Sequence, residues 1–166
     1  IVDQSVHGGI DQAVYMYHSE DYQWWSEQLG KEVVAGSFGE NLTLSGLADI
    51  DFNVGDRLTI NNVVLEITAP RVPCFKLSSK MGDSTFLKKF VRAERPGAYA
   101  RVIQEGSISA GDTITFEKVS SAEVSLKDIF VMWHSKDKSP EFMQQVLASS
   151  VASVHREKIQ TWLDAV

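Results

Sequence analysis

The sequence contains a single cysteine, Cys74, in the segment APRVPCFKLSSK (residues 69–80). Arg71 precedes it by three residues and Lys76 follows it by two. Cationic neighbours favour the thiolate, which is the form of cysteine that attacks electrophiles and binds metals. A lone cysteine is more often a small, inert core residue, so both interpretations stay open. We expect the segment to be a strand end leading into a loop, with Cys74 and Lys76 on one face and Pro73 interrupting the alternation.

A thiolate is a soft ligand that suits zinc, copper(I), iron–sulfur clusters or molybdenum. Structural zinc sites and iron–sulfur clusters are poor fits here, because both normally take several thiolates and the chain has one. The histidines at 18, 134 and 155 lack the spacing of a separate histidine metal site. If Cys74 holds a metal, another group must therefore supply most of its ligands.

Composition limits the class of protein. The chain has 166 residues, of which 43% are hydrophobic, enough for one main globular domain with its own core. The net charge of −6 and the scattered Lys and Arg argue against binding of a nucleic acid polymer. No stretch approaches the roughly 18 to 20 apolar residues of a membrane span, and no signal segment precedes the first motif. We therefore expect a soluble protein. One cysteine cannot form an internal disulfide, so we expect the protein to reside in the reducing cytoplasm. Because the sequence begins at Ile1, we expect it to be part of a larger polypeptide.

Short β-branched runs bounded by Gly, Asn or Asp predict a mainly β fold up to about residue 118. The predicted strands are AVYMYH (13–18), RLTI (57–60), VVLEITA (63–69), AYARVI (98–103) and TITF (113–116). The segments NVGDRLTI and SAGDTITF both place Gly-Asp before a strand, where Gly supplies a left-handed turn and Asp is expected to bond the following backbone. The pair Asn61-Asn62 predicts a tight hairpin turn.

Two helices are predicted within this strand-rich part. The segment SEDYQWWSEQLG has Ser19 as a candidate N-cap and Gly30 as its end. The segment DSTFLKKFVRA is expected to begin from an Asp83 cap. Both helices are expected to cover the sheet.

The pattern becomes helical near the C-terminus. In LKDIFVMWH (126–134) the apolar residues form one stripe of an amphipathic helix, with Ser125 as its cap, and three short helices are expected in all. We predict a strand-rich domain at 1–121 and a three-helix unit at 122–166, with the boundary in the linker 119–123. The helical unit is expected to cover part of the sheet or to dock an electron donor.

Four stretches, in this order, resemble the MOSC domain family, which is named for the C-terminal domain of molybdenum cofactor sulfurase. They are VHGGIDQAVYMYHSEDY, GSFGENLTLSGL, PRVPCFKL and RPGAYARVIQEGSISAGD, and they cover residues 6–112. The resemblance implies a compact β-barrel with flanking helices. The tail from VSLKDIFVMWH onward is similar to the small three-helix appendage of the bacterial branch that includes hydroxylaminopurine reductases. Family members usually have a further segment before HGG that helps form the pocket, and only IVDQS stands there in this sequence.

The resemblance implies a pterin-based molybdenum cofactor (molybdopterin), whose dithiolene supplies two sulfurs to the metal while the protein supplies one thiolate. Cys74 occupies the family's cysteine position. For His7, in the HGG motif, the resemblance implies a cofactor or substrate role, with a turn residue beside flexible glycines as the alternative. We expect it to protonate the departing oxygen, because an unperturbed imidazole titrates near pH 6.5. Further cofactor contacts are implied at Gly39, Asn41, Arg71, Lys76, Tyr17 and Arg101.

These cofactor positions differ in how well their chemistry suits the role. The guanidinium of Arg71 suits a phosphate or a pterin carbonyl, Asn41 suits the pterin or its phosphate, and Gly39 allows close backbone approach, with Glu40 bracing the loop. Lys76 suits phosphate and solvent equally. For Tyr17, Tyr99 and Arg101, a place in the core or at the barrel rim is equally open.

The implied activity is reduction of small N-hydroxylated molecules such as hydroxylaminopurine-like bases. The sequence has neither a Gly-x-Gly-x-x-Gly motif nor a cysteine set for an iron–sulfur cluster, so a separate flavin or ferredoxin-type donor protein is expected to supply electrons. One alternative is a carrier of sulfur or of the molybdenum cofactor that uses Cys74 as a persulfide or ligand. Another is a non-enzymatic interaction module in which Cys74 is buried and protonated.

Overall fold

The computed structural model describes residues 9–118 and 124–166, which form six strands, six α-helices and one short 3₁₀ helix at Ile10–Gln12. The strands are β1 (Val14–His18), β2 (Leu42–Leu44), β3 (Arg57–Ile60), β4 (Val63–Pro70), β5 (Ala98–Gln104) and β6 (Ile114–Glu117). The α-helices are α1 (Ser19–Leu29), α2 (Phe75–Met81), α3 (Phe86–Ala93), α4 (Leu126–His134), α5 (Pro140–Ala148) and α6 (Ser153–Leu163).

The six strands form one mixed sheet in the order β2-β1-β5-β4-β3-β6. The pairing of β1 with β2 is parallel and the other pairings are antiparallel. Residues of both edge strands, β2 and β6, line one cavity of about 300 Å³, so the sheet curls into a half-barrel. The prediction of a β-barrel is therefore confirmed in part: the sheet is curled, but it forms a half-barrel. The prediction of a mainly β class was wrong, because the helices contain more residues than the strands.

The five predicted strands are all present, and β3 and β4 form the predicted hairpin around Asn61, whose φ is 54°. The two Gly-Asp pairs lead into β3 and β6, which pair with each other, and their glycines have φ of 95° and 92°. Each aspartate accepts a hydrogen bond from the backbone that precedes it. The backbone N–H three residues earlier donates to it, from Asn53 to Asp56 at 2.9 Å and from Ser109 to Asp112 at 2.7 Å.

Helix boundaries depart slightly from the predictions. Ser19 is the first residue of α1 rather than its cap, and His18 precedes it without a capping side-chain bond, while Gly30 ends the helix in the left-handed conformation as predicted. Asp83 does not cap α3 directly. Its carboxylate accepts hydrogen bonds from the N–H and hydroxyl of Thr85, the residue that precedes α3. No helix within the described ranges is long and apolar enough to cross a membrane.

The sheet separates two hydrophobic clusters, because successive side chains of a strand point to opposite faces. In β1, Met16 belongs to one cluster, while Tyr15 and Tyr17 belong to the other. The second cluster is rich in aromatic side chains and includes Trp25, Phe38, Phe86, Phe90 and Phe130. Because α1 and α3 contribute to this cluster, they cover the sheet as expected.

The C-terminal helices pack on the strand-rich part of the chain. Ser125 caps α4 by accepting a hydrogen bond from the N–H of Lys127 at 3.1 Å, as predicted. Ile129 of α4 and Ile159 of α6 belong to the same hydrophobic cluster as Ile67 of β4. The helical unit therefore covers part of the sheet. The predicted linker lies outside the described residues, and the division into two domains stays a prediction.

His155 of α6 makes the stability of this packing sensitive to acid. Its side chain is buried, and neither ring nitrogen has a hydrogen-bond partner among the described residues. Burial lowers the pKa of His155 to about 4, and the nearby Pro70 carbonyl offsets only part of that effect. In the unfolded chain the imidazole of His155 binds a proton near pH 6.5. The free energy of unfolding is therefore unaffected by His155 above pH 6.5 and decreases as the pH falls from 6.5 to 4. The total loss amounts to about 3 kcal/mol.

We expect His155→Phe to remove this part of the pH dependence, because phenylalanine fills a similar volume beside Trp133, whose ring centroid lies 4.9 Å from that of His155. Urea unfolding of both proteins at about pH 7.5 and about pH 5 measures the effect. The wild type should lose about 2 kcal/mol more than the variant over that interval. Equal losses in the two proteins would show that His155 does not titrate as described.

Candidate functional site

Cys74 lies where the chain leaves the sheet and enters a helix. The chain is extended after the end of β4 at Pro70, and Cys74, half-buried, is the residue that precedes α2. A helix forms here because Leu77 and Met81, four residues apart, bury one face in the aromatic cluster. The predicted strand end and loop are thus present, as the end of β4 and residues 71–74, but the helix α2 that follows was not predicted. Lys76 is exposed on this helix and does not share a strand face with Cys74.

Arg71 is held beside Cys74 by contacts with an aromatic ring and a backbone carbonyl. Its guanidinium donates to the carbonyl of Phe38 and lies 4.9 Å from the centroid of the Tyr15 ring. The rings of Tyr15 and Tyr99 are 5.0 Å apart. Cys74 lies close enough to Arg71 and Tyr99 to interact electrostatically with both. The structure therefore brings together two phenols, from β1 and β5, with the one cation and the cysteine of the segment that follows β4.

Burial and charge act against each other in this group. Burial disfavours the charge of Arg71, but a hydrogen bond with Tyr15 and attraction to the anionic forms of Tyr15, Tyr99 and Cys74 outweigh it, so the pKa of Arg71 is raised above its ordinary value. Burial also raises the pKa of Tyr99 and that of Tyr15, although Arg71 partly offsets both effects. Both phenols therefore keep their protons at neutral pH, and Arg71 keeps its charge. The hydroxyl of Tyr15 donates to the carbonyl of Pro96 at 2.8 Å.

Glu40 braces the loop that carries Phe38 to Arg71. Its carboxylate accepts hydrogen bonds from the N–H groups of Gly36 and Phe38 and from the hydroxyl of Tyr22. This is the bracing role predicted for Glu40. Because the Phe38 carbonyl accepts from Arg71, the fold of this loop also fixes the guanidinium.

Asn41 and Gly39 lie at the end of the same loop. The side-chain oxygen of Asn41 accepts from the N–H of Tyr15 at 2.7 Å, and its own N–H donates to the Tyr15 carbonyl at 2.8 Å. Asn41 therefore joins the loop to β1. Gly39 is exposed with φ of 76°, and a Cβ there would lie 3.8 Å from Nζ of Lys80, which donates to the carbonyl of Gly36. The backbone at Gly39 is thus open beside an ammonium group.

Tyr17 is placed in the core and not at this site. Its side chain is fully buried. The hydroxyl donates to the carbonyl of Arg95 at 2.9 Å and accepts from Nε1 of Trp25 at 2.7 Å. Both hydrogen-bonding directions of the hydroxyl are used within the fold, so this placement does not support the predicted cofactor contact.

Arg101 lies farther along β5 and joins the sheet to other segments. Its guanidinium pairs with Asp11 at 3.2 Å and with Glu66 at 3.7 Å, and donates to the carbonyl of Ser150 at 2.8 Å. These partners give Arg101 a structural role at the contact with the C-terminal helices. Its predicted cofactor contact stays a prediction, as does the role of His7, which lies outside the described residues.

Sequence reasoning did not assign Tyr15 or Lys80 to the site, although both could have been found. The alternation of β1 places Tyr15 on the same face as Tyr17. In a helix, Lys80 follows Lys76 by four residues and lies on the same side. Recognising the short helix α2 would therefore have identified Lys80 as a second ammonium group.

Comparison with curated proteins finds relatives in two bacteria and a fungus. YflK of Bacillus subtilis (strain 168) is 38% identical over 105 residues, which are 63% of this chain and 48% of YflK. A protein of Gibberella moniliformis (strain M3125 / FGSC 7600) named Reductase is 36% identical over 115 residues, which are 67% of this chain and 20% of that protein. YiiM of Escherichia coli (strain K12) is 29% identical over 136 residues, 80% of this chain and 60% of YiiM. The chain thus spans between 20% and 60% of these relatives.

Solved structures share the fold. The crystal structure of YiiM from Geobacillus stearothermophilus matches with a TM-score of 0.88 at 30% identity, covering 94% of this chain and 80% of that one. The crystal structure of YiiM from Escherichia coli matches with a TM-score of 0.85 at 23% identity, covering 95% of this chain and 80% of that one. Both matches extend well beyond residue 118, so the arrangement of sheet and C-terminal helices recurs in these proteins.

The family model of the MOSC domain matches residues 3–115. That range contains the four motifs on which the resemblance was based, as well as Cys74, Arg71 and Tyr99. The match and the likeness to YiiM confirm the resemblance. The chain belongs to the MOSC domain family.

Proposed function

We propose that this chain is part of a molybdenum cofactor-dependent reductase of small N-hydroxylated compounds. The observation that carries the proposal is the position of the one cysteine. Cys74 is half-buried beside a half-buried Arg71 that packs on the ring of Tyr15, at the position of the family's cysteine. Sulfur is thus partly accessible where a fixed positive charge can hold an anionic ligand.

The donor set fits this cofactor. Among the described residues, no three His, Cys, Asp or Glu side chains are grouped as metal ligands, so Cys74 has no protein co-ligands for a bare metal ion. The molybdenum cofactor brings its own two sulfurs and needs one thiolate from the protein. The Arg71 guanidinium and the Lys80 ammonium beside the open backbone of Gly39 suit the cofactor's anionic groups.

The chain's own groups have distinct tasks in this proposal. Cys74 would hold the metal, Arg71 would orient anionic or carbonyl groups, and the protonated Tyr99 would donate a hydrogen bond. When bound, the cofactor supplies the two-electron chemistry that breaks the N–O bond. Overall, the N-hydroxyl compound takes up two electrons and two protons and yields the amine and water. His7 is the proposed proton donor, because an unperturbed imidazole titrates near pH 6.5.

One relative supports the assignment of a reductase. The fungal relative is named Reductase, and its match to this chain occupies only 20% of its length. For the present chain we propose a separate flavin or ferredoxin-type protein as the donor.

The test uses protein produced in a host that makes the molybdenum cofactor. We expect about one molybdenum per chain, and faster consumption of a reduced dye with N-hydroxylaminopurine than with sulfoxides or nitrate. Sulfoxide or nitrate as the better substrate would refute the proposed substrate class. A persulfide on Cys74 without molybdenum would instead support the alternative of a sulfur carrier.

A further inference from the structure

A groove with an apolar floor and basic walls lies next to the proposed site. Its volume is about 420 Å³, and it is lined by Pro73, Leu87, Lys88, Val91, Arg92 and His134. We call it the α3 groove, since four of these residues belong to α3. Pro73 directly precedes Cys74, and Phe75 directly follows it with 70% of its surface exposed. The groove therefore begins one residue from the thiol.

The α3 groove belongs to the basic part of an acidic protein. Residues 71–95 contain seven Lys or Arg and two Asp or Glu, a net charge of +5. The other 141 residues contain nine Lys or Arg and twenty Asp or Glu, a net charge of −11. Positive charge is thus concentrated in the segment that carries Cys74, and its field favours approach of an acidic surface to that segment.

Lys88 and Arg92, one turn apart on α3, are exposed and make no ion pair within the described residues. Other cations of the segment are engaged: Lys89 pairs with Asp83 at 2.7 Å and Arg95 pairs with Asp21. The two unpaired cations of the groove are therefore available to a partner.

We propose that the α3 groove docks the acidic surface of the electron-transfer protein that reduces the enzyme. The inference deepens the proposed function and rests on it, because that reaction consumes two electrons that a donor of the flavin or iron–sulfur class must lose. The apolar floor of Leu87 and Val91 and the exposed Phe75 suit a protein surface better than a small anion. Docking there would place the donor's redox group within reach of Cys74.

Binding is measured with two defined probes, an acidic [2Fe–2S] ferredoxin and an acidic flavodoxin, by calorimetry at low ionic strength. The chain is used without cofactor, so the result does not depend on activity. We expect binding of at least one probe, weakening with added salt. The double variant Lys88→Glu/Arg92→Glu should weaken it at least about tenfold, because reversed charges repel the acidic surface. Lys158→Glu, an exposed helical lysine outside the groove, should retain wild-type affinity within about twofold.

A kinetic measurement on cofactor-loaded protein completes the test. With the reduced ferredoxin or flavodoxin that binds as the electron donor, the double variant should turn over at least about tenfold more slowly. Its turnover with reduced methyl viologen should be unchanged. Absence of binding to both probes, equal binding by the double variant, or a preference for heparin over both proteins would overturn the docking proposal. Groove-dependent binding without any reductase activity would contradict the proposed function and leave the docking surface standing.

Discussion

Cys74→Ser is expected to abolish reductase activity and to release molybdenum from the purified protein. A hydroxyl is a harder and far less acidic ligand than a thiol, and no second cysteine can replace it. We expect molybdenum well below one per chain and a loss of turnover of at least about a hundredfold, since even changes around a metal's direct ligands cost about 10-fold to 100-fold. Metal analysis and dye-coupled turnover with N-hydroxylaminopurine measure the two effects.

The structure separates this loss from unfolding. Cys74 precedes α2 in an extended conformation and makes no capping side-chain bond, and serine is a better residue at that position. The variant should therefore unfold at the same temperature as the wild type or slightly higher. Ser79→Ala, an exposed change within α2, serves as the control and should keep both molybdenum and activity. Full activity in Cys74→Ser would refute the ligand assignment.

The fold was predictable where signals are local. Alternation and bounding turn residues identified five strands, and Ser125 and Gly30 marked helix ends correctly. The strand β2 was not predicted, because it has three residues and is defined by parallel pairing with β1, which sequence periodicity does not report. The helix α2 was not predicted, because Pro73 and the preceding strand favoured an extended segment and the burial of Leu77 depends on distant aromatic residues.

The candidate site was predictable only in part, for the same physical reason. Arg71 and Cys74 are three residues apart, so their proximity could be inferred from the sequence. Tyr15 and Tyr99 join them because β1 and β5 are neighbours and Tyr15 pairs directly with Tyr99. Register of this kind is set by packing across more than eighty residues of chain, and no local pattern encodes it. Tyr17 matched the family equally well, yet its hydroxyl is used within the core.

Gly97→Ala is expected to be the most destabilising single-methyl change near the site. Gly97 precedes β5 with φ of 66°, and a Cβ there would lie 2.5 Å from the carbonyl oxygen of Met16 and 2.7 Å from the ring of Tyr17. Backbone and a buried ring cannot move aside easily. We expect a loss of roughly 3 kcal/mol or more, from about 1 to 2 kcal/mol of left-handed strain plus overpacking. Thermal unfolding should shift down by roughly 6 to 12 °C.

Gly82→Ala is the matched control for this prediction. Gly82 has nearly the same φ, 65°, but no atom lies within 4 Å of its added Cβ. It should therefore show the backbone strain alone, with a shift in melting temperature of roughly 2 to 8 °C. The difference between the two variants measures how tightly the residue before β5 holds Tyr17, whose ring lies between Gly97 and the loop that positions Arg71. Equal shifts would contradict the prediction. They would mean that the Met16 backbone and the Tyr17 ring move to accommodate the added methyl group without a loss of stability.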